Sequence, residues 1–439
     1  MPSVIKLAIL SNKKYYGKLY ASSYVIRHER KSQERYLKLN FKREDNMKEY
    51  IFKSTEILDK DNDIELLRDL KKIFASSNIN FLLGSGFSAG ILSPLGNIEI
   101  FIEKIRNNKE EIEQIRILES CVFWLFFQES IYPISRLYKN KSLIKDHSNF
   151  FDELNSLIFT RGNTIKNKRI NIFTTNYDPI IEMTLENKQI IYNDGFTGRI
   201  FSVFNTSNFN RNYYSQLIFS DNLVEIPVFN IIKLHGSTTW ENKTKENEII
   251  YHNIENKLNR FYEKYNSKFS KYSDYLEDIK SINSNILQEL KNVNQKILSK
   301  EQDLERIENF SIEFLKDYKE KFEIINPTKE KFRETTFNKT YHELLRIYSN
   351  ELEKQNTVLF VFGFSFKDEH ILEITKRSLG NPTLKIIIFA YEKKELENYK
   401  EKLGKFNNVS VVALEKETEE SGKLDLNFLT KIFTLINKL

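Results

Sequence analysis

Six runs of consecutive apolar residues punctuate the chain at wide intervals. They are "NFLL" (80–83), "NIFTT" (171–175), "FNIIKL" (229–234), "VLFVFGF" (358–364), "LKIIIFA" (384–390) and "VSVVAL" (409–414). None alternates apolar with polar positions, as a strand with one wet face would. Unbroken runs of this length fit strands buried on both faces, as in a parallel sheet covered by helices. Stretches of helical period lie between them, beginning with "DIELLRDLKKIFASS" (63–77). The alternation predicts an α/β fold: a doubly wound, mainly parallel, Rossmann-like sheet over about 66–439.

Two long helical stretches interrupt that pattern. The first, about 99–165, contains "IEIFIEKIRNNKEEIEQIRILESCVFWLFF". The second, about 242–322, has apolar residues at 254, 258, 261, 265, 269, 272, 276 and 279. The series continues at 286, 290, 293 and 297, then at 304 and 307. Steps of three and four trace one helix face. Neither Gly nor Pro occurs between Gly236 and Pro327. The pattern predicts a long helical hairpin or arm, either packed on the core or offered to an oligomer or partner. Residues 1–65 are Lys- and Tyr-rich with broken alternation, and read as a small β-rich N-terminal extension.

Composition narrows the function classes. The 67 basic and 61 acidic residues leave a net charge of +6, a mild bias over 439 residues. It gives little support for direct nucleic-acid binding. The single cysteine, Cys121, rules out an intramolecular disulfide framework and a multi-cysteine structural zinc, so no zinc is expected. Cys121 lies in an apolar run and reads as a core residue. "FWLFF" (123–127) is too short to span a bilayer, and no signal-like segment opens the chain. The expectation is a cytoplasmic protein with no membrane association.

Four of the apolar runs end in residues able to hold a ligand. "FLLGSGFSAG" (81–90) carries Gly84-Ser85-Gly86 and Ser88, a turn whose backbone can approach a phosphate or simply join strand to helix. Its third glycine, Gly90, stands one place late for the usual dinucleotide fingerprint. "TTNYDP" (174–179) places Asn176 and Asp178 at a strand end, where ligands bind in open α/β sheets. Asp178 before Pro179 also suits a helix cap. "IIKLHGS" (231–237) puts His235 beside Gly236 at another tip. "FVFGFSFKDEHI" (360–371) carries Gly363 and Ser365. There Ser365 with Asp368 fits a capping box, and His370 reads as a structural helix residue.

The order and types of these motifs resemble the sirtuin family, in its zinc-less prokaryotic branch of NAD-consuming antiphage effectors. Gly84-Ser85-Gly86-Phe87-Ser88 resembles the family's Gly-Ala-Gly-x-Ser loop. Thr175-Asn176-Tyr177-Asp178 is similar to its Asn-x-Asp motif, and His235-Gly236 to its catalytic His-Gly. Gly363-Phe364-Ser365 resembles the late Gly-x-Ser turn, continued by Asp368 and Ile371 as in the defence branch. "NPTKEKF" (326–332), then "YHELLRIYSNELEK" (341–354), resembles the subgroup encoded beside a HerA-like ATPase.

The resemblance implies a sirtuin-like fold over roughly 75–439 and NAD as substrate. It implies Asn176, His235 and Asp178 as catalytic groups, and Gly84, Ser85, Gly86, Ser88, Gly363 and Ser365 as NAD-binding ones. It also implies a homo-oligomer gated by the ATPase. The family's zinc-holding Cys pairs and Pro-Asp-Phe-Arg segment are absent, which disfavours protein deacylation. The expected activity is hydrolysis of NAD to nicotinamide and ADP-ribose. The alternatives are a non-catalytic NAD- or ADP-ribose-sensing module and a structural subunit of a defence complex.

Overall fold

The computed structural model describes residues 47–52, 61–92, 98–108, 115–162, 166–198, 200–216, 221–243, 248–252, 254–300, 303–322, 339–415 and 423–439. Most of the segment read as an N-terminal extension, and the "NPTKEKF" segment, lie outside these residues. The strands in chain order begin with β1 (Lys48–Phe52), β2 (Asn78–Leu83), β3 (Arg169–Thr174) and β4 (Tyr192–Asn193). There follow β5 (Phe196–Thr197), β6 (Val203–Phe204), β7 (Tyr213–Gln216), β8 (Leu223–Ile226) and β9 (Val228–Lys233). The last are β10 (Trp240–Lys243), β11 (Glu248–Tyr251), β12 (Thr357–Phe362), β13 (Leu384–Phe389) and β14 (Val409–Leu414).

Eight strands form one sheet, in the order β1-β14-β13-β12-β2-β3-β9-β4, and every pairing is parallel. All six apolar runs are strands of it. From the central pair β2 and β12, the chain winds in opposite directions: β2 to β3 and β9 one way, β12 to β13 and β14 the other. This is a doubly wound, Rossmann-like arrangement with its switch point between β2 and β12.

Side chains alternate across each strand and feed two cores. Ile79, Phe81, Phe360, Phe362 and Ile172 join one apolar cluster, with helices Asp61–Ser76, Lys145–Phe159 and Leu426–Lys438. Leu82, Leu359, Val361 and Phe173 join the other, with helices Lys339–Glu353, Glu369–Ser378 and Leu396–Leu403. Burial on both faces explains why the runs carry no polar alternation.

One polar row crosses the second face. Asn80, Asn171 and Asn230 are level on β2, β3 and β9. Asn171 Nδ2 donates to Asn80 Oδ1, and Asn230 Nδ2 to Asn171 Oδ1, both at 2.9 Å. Buried amides must be paired, so the ladder fixes register across three strands. Asn171→Leu leaves Asn80 Oδ1 without its donor and Asn230 Nδ2 with Phe209 O alone, and is expected to lower the unfolding free energy by roughly 1–3 kcal/mol. An unchanged urea midpoint would show that the ladder is dispensable.

The two helical stretches form one body rather than a core and an arm. Helices Ile254–Phe269, Ser273–Ser281, Ile286–Lys300 and Leu304–Lys321 bury the expected face, including Leu258, Phe261, Tyr265, Ile279, Leu290 and Ile297. They pack on helix Ile115–Phe126: Trp124 stacks on Phe269 at 4.8 Å, and Ser120 Oγ donates to Ser311 Oγ at 3.1 Å. Cys121 is buried there, and burial pushes its thiol up to about 12. The helical reading also starts too early, because β10 and β11 occupy the region around 242. They join β6 and β5 in a four-stranded antiparallel sheet. At the other end, β1 is no separate extension, since it pairs with β14 at the edge of the main sheet. Among the described residues, no helix is long and apolar enough to cross a membrane.

Candidate functional site

Strand register brings the four motif tips level. Phe362 pairs with Leu83, Leu83 with Thr174, and Thr174 with Lys233. The next residues are Gly363, Gly84, Thr175 and Leu234. One further along stand Phe364, Ser85, Asn176 and His235. All lie at the C-terminal strand ends, and the β2/β12 pair among them is the switch point where α/β sheets open a ligand crevice.

The first and last loops touch through their glycines. Gly84 N donates to Phe362 O at 3.1 Å, and Gly86 N to Gly363 O at 3.0 Å. A Cβ on Gly86 would lie 2.5 Å from Gly363 Cα. Gly363 has φ +64°, and a Cβ on it would lie 2.7 Å from Phe87 N. The close approach these glycines permit is therefore of loop to loop, and the Gly86 amide is already engaged. Gly90, also at positive φ, has open space around it.

Behind this contact runs a buried polar chain. Asn176 Nδ2 donates to Gly84 O and to Ser88 Oγ, each at 2.9 Å. Ser88 Oγ donates to Asp178 Oδ2 at 2.8 Å. Asp178 Oδ1 accepts from Ile180 N at 3.1 Å, at the start of helix Ile180–Asn187. Asp178 thus serves as helix-end acceptor and as a member of the polar chain at once, one oxygen for each. Both Nδ2 protons of Asn176 are committed to the protein, which leaves Oδ1 as the group it can offer a ligand. Thr174 Oγ1 accepts from Asn176 N at 3.0 Å and donates to Leu83 O at 2.8 Å, which fixes the tip of β3 against β2.

His235 belongs to the neighbouring tip. Gly236, at φ +78°, turns the chain, and Thr238 N donates to Tyr177 O at 2.9 Å. Thr238 Oγ1 reaches the same carbonyl at 3.0 Å, so the His-Gly loop is tied to the residue between Asn176 and Asp178. His235 Nε2 lies 3.3 Å from His370 Nε2 and 4.0 Å from Asp368 Oδ1. At that separation one ring presents N–H and the other a lone pair. His370 lies buried in helix Glu369–Ser378, as read from sequence, with its ring turned to His235. The capping box is not formed: helix Glu369–Ser378 begins after Asp368, whose side chain makes no cap bond. Phe366, in the left-handed region at φ 54°, bends this loop and buries its ring against Phe364 at 5.0 Å. Ser85 and Ser365 are exposed and bond to none of Asn176, Ser88 or Asp178.

Two buried groups escaped the sequence reading. Lys233, inside "FNIIKL", sits beneath the Asn176–Asp178 loop and pairs with Glu182 at 3.1 Å. A lysine, the one ionisable residue in a buried run, was the available signal. Burial raises the Glu182 carboxyl above its usual range, and the Lys233 ammonium pulls it back. His147 Nε2 lies 2.7 Å from Phe87 O and braces the first loop from behind. Burial lowers its imidazole below the usual range. Nothing in its helical surroundings marked it. Among the described residues, no cluster of three or more His, Cys, Asp or Glu is placed to hold a metal ion.

No protein-family model matches the chain, and none of the curated proteins matches it.

Proposed function

We propose that the chain hydrolyses the nicotinamide–ribose bond of NAD, yielding nicotinamide and ADP-ribose. The observation that supports this most is the hydrogen-bonded chain Asn176–Ser88–Asp178 across the tips of β2 and β3, between the switch point and the His235 tip. An amide, a hydroxyl and a carboxylate are bonded together, with an imidazole on the adjoining strand tip, at the strand ends where open α/β sheets bind ligands.

The chemistry needs little more. Ordinary glycoside cleavage requires an acid to protonate the leaving oxygen. Nicotinamide is a cationic pyridinium in NAD and leaves neutral, so no acid is needed. Asn176 Oδ1 accepts a hydrogen bond from the attacking water or a ribose hydroxyl. As the water oxygen bonds to the ribose carbon and the C–N bond breaks, the water's proton passes to His235, directly or through a ribose hydroxyl. The Asp178 carboxylate favours the positive charge that develops on the ribose. The Gly84–Ser88 loop faces the pyrophosphate, and Gly363 and Ser365 the adenosine side.

In the same proposal the chain is an antiphage effector that depletes NAD as a homo-oligomer, gated by a HerA-like ATPase. Ungated NAD loss would kill the host cell. The test is to incubate the purified full chain with NAD, with and without the co-purified ATPase, and to weigh the products. Equimolar nicotinamide and ADP-ribose are expected in the complex. Calorimetric NAD binding with no product in either mixture would instead identify a sensing module.

A further inference from the structure

We infer that Lys233 is a positioning residue for this site, holding the Asn176–Asp178 loop by its backbone. Its side chain is 2% exposed and approaches from beneath the loop. The ammonium donates to the carbonyl oxygen of Asp178 and, at 3.4 Å, to that of Asn176. Its third partner is Glu182 Oε1 at 3.1 Å. An ammonium has three protons, and three acceptors surround this one. Two of them belong to the very residues whose side chains build the polar chain.

The arrangement answers a geometric difficulty. Residues 175–177 have left the sheet and have no ladder partners, yet Asn176 must stay within hydrogen-bond reach of Gly84 and Ser88. Lys233 is the last residue of β9, level with Thr174, so its stem rises from the sheet to where the loop begins. Charge-assisted bonds from Lys233 hold the two carbonyls that flank the Tyr177 carbonyl, itself held by Thr238. Glu182 belongs to helix Ile180–Asn187, which starts at the end of this loop. It balances the ammonium without taking it off the carbonyls. That balance matters because an uncompensated cation here would oppose positive charge developing on a ribose.

The kinetic part of the test rests on the NAD-hydrolase reading; the exchange part does not. Lys233→Met alone would strand the Glu182 carboxylate. The informative variant is therefore Lys233→Met with Glu182→Met, because replacing a whole buried ion pair by apolar groups is often neutral for stability. With thermal stability close to the parent's, amide exchange at 175–178 should rise at least about tenfold over that of β2 and β3. In the ATPase complex, kcat for nicotinamide release should fall roughly 10–100-fold while the KM for NAD stays within about threefold. A residue that only stabilised the fold would not split kcat from KM in this way. Parental kcat in the double variant overturns the inference. Where the parent itself releases no nicotinamide, the hydrolase reading fails, and the exchange result alone decides: unchanged protection at 175–178 overturns the positioning role.

Discussion

Asn176→Ala and His235→Ala are each expected to lower nicotinamide release by roughly 10²–10⁴-fold, the range for removal of a positioned proton-transfer or orienting group. The two lesions differ in kind. His235→Ala deletes the proposed base at the β9 tip and leaves the Asn176–Ser88–Asp178 chain intact. Its effect should fall on kcat, with NAD binding by calorimetry nearly unchanged. Asn176→Ala also removes two buried hydrogen bonds, to Ser88 Oγ and to the Gly84 carbonyl, which keeps only its bond from Phe87 N. It should therefore lose about 1–3 kcal/mol of stability in addition to its activity. Activity must then be compared well below the lowered thermal midpoint. Full turnover by both folded variants would remove these residues from the mechanism and, with them, the hydrolase assignment.

The fold was legible wherever a strand is buried on both faces. "NFLL" and "VSVVAL" could be read as strands because no residue in them meets water. The same logic fails at the sheet edges. β1, "KEYIF", exposes Lys48, Glu49 and Ile51 and so lacks the unbroken signature. β4 has two residues, too few for any pattern. The four-stranded sheet of β10, β11, β6 and β5 fails for the same reason, and its polar strands blended into the helical stretch that follows.

Individual site residues were legible as types; how they are held was not. Asn176, Asp178 and His235 stood out as polar groups at the ends of apolar runs. Their grouping depends on the register of β3 against β9 and of β2 against β12, which residue types alone do not specify. His370 is legible as a buried helix residue, and it is one. What "FSFKDEHI" does not show is the start of that helix: Phe366, left-handed, precedes it, and His370 falls in the first turn, where it and Asp368 come to His235. The glycines show in sequence that something comes close, a phosphate or the chain itself. At Gly84 and Gly86 the other loop comes close.

Gly363→Ala should separate those two meanings of a glycine. Its φ of +64° makes any side chain unfavourable, by roughly 1–2 kcal/mol. The added Cβ would also lie 2.6 Å from Gly86 Cα and 2.7 Å from Phe87 N. Both obstacles are backbone and cannot swing aside, so the loops must part, at a further cost of about 1–3 kcal/mol. Parting them breaks the bond from Gly86 N to Gly363 O and moves the Gly84 carbonyl on which Asn176 rests. The variant should therefore unfold at markedly lower urea and lose NAD binding by calorimetry even while folded. Gly90→Ala is the matched control: φ is +88° there, yet a Cβ meets nothing within 4 Å. It should lose only the backbone contribution, about 1–2 kcal/mol, and keep NAD binding. Equal losses in the two variants would mean that backbone strain alone, and not the contact between the first and last loops, underlies the need for glycine at 363.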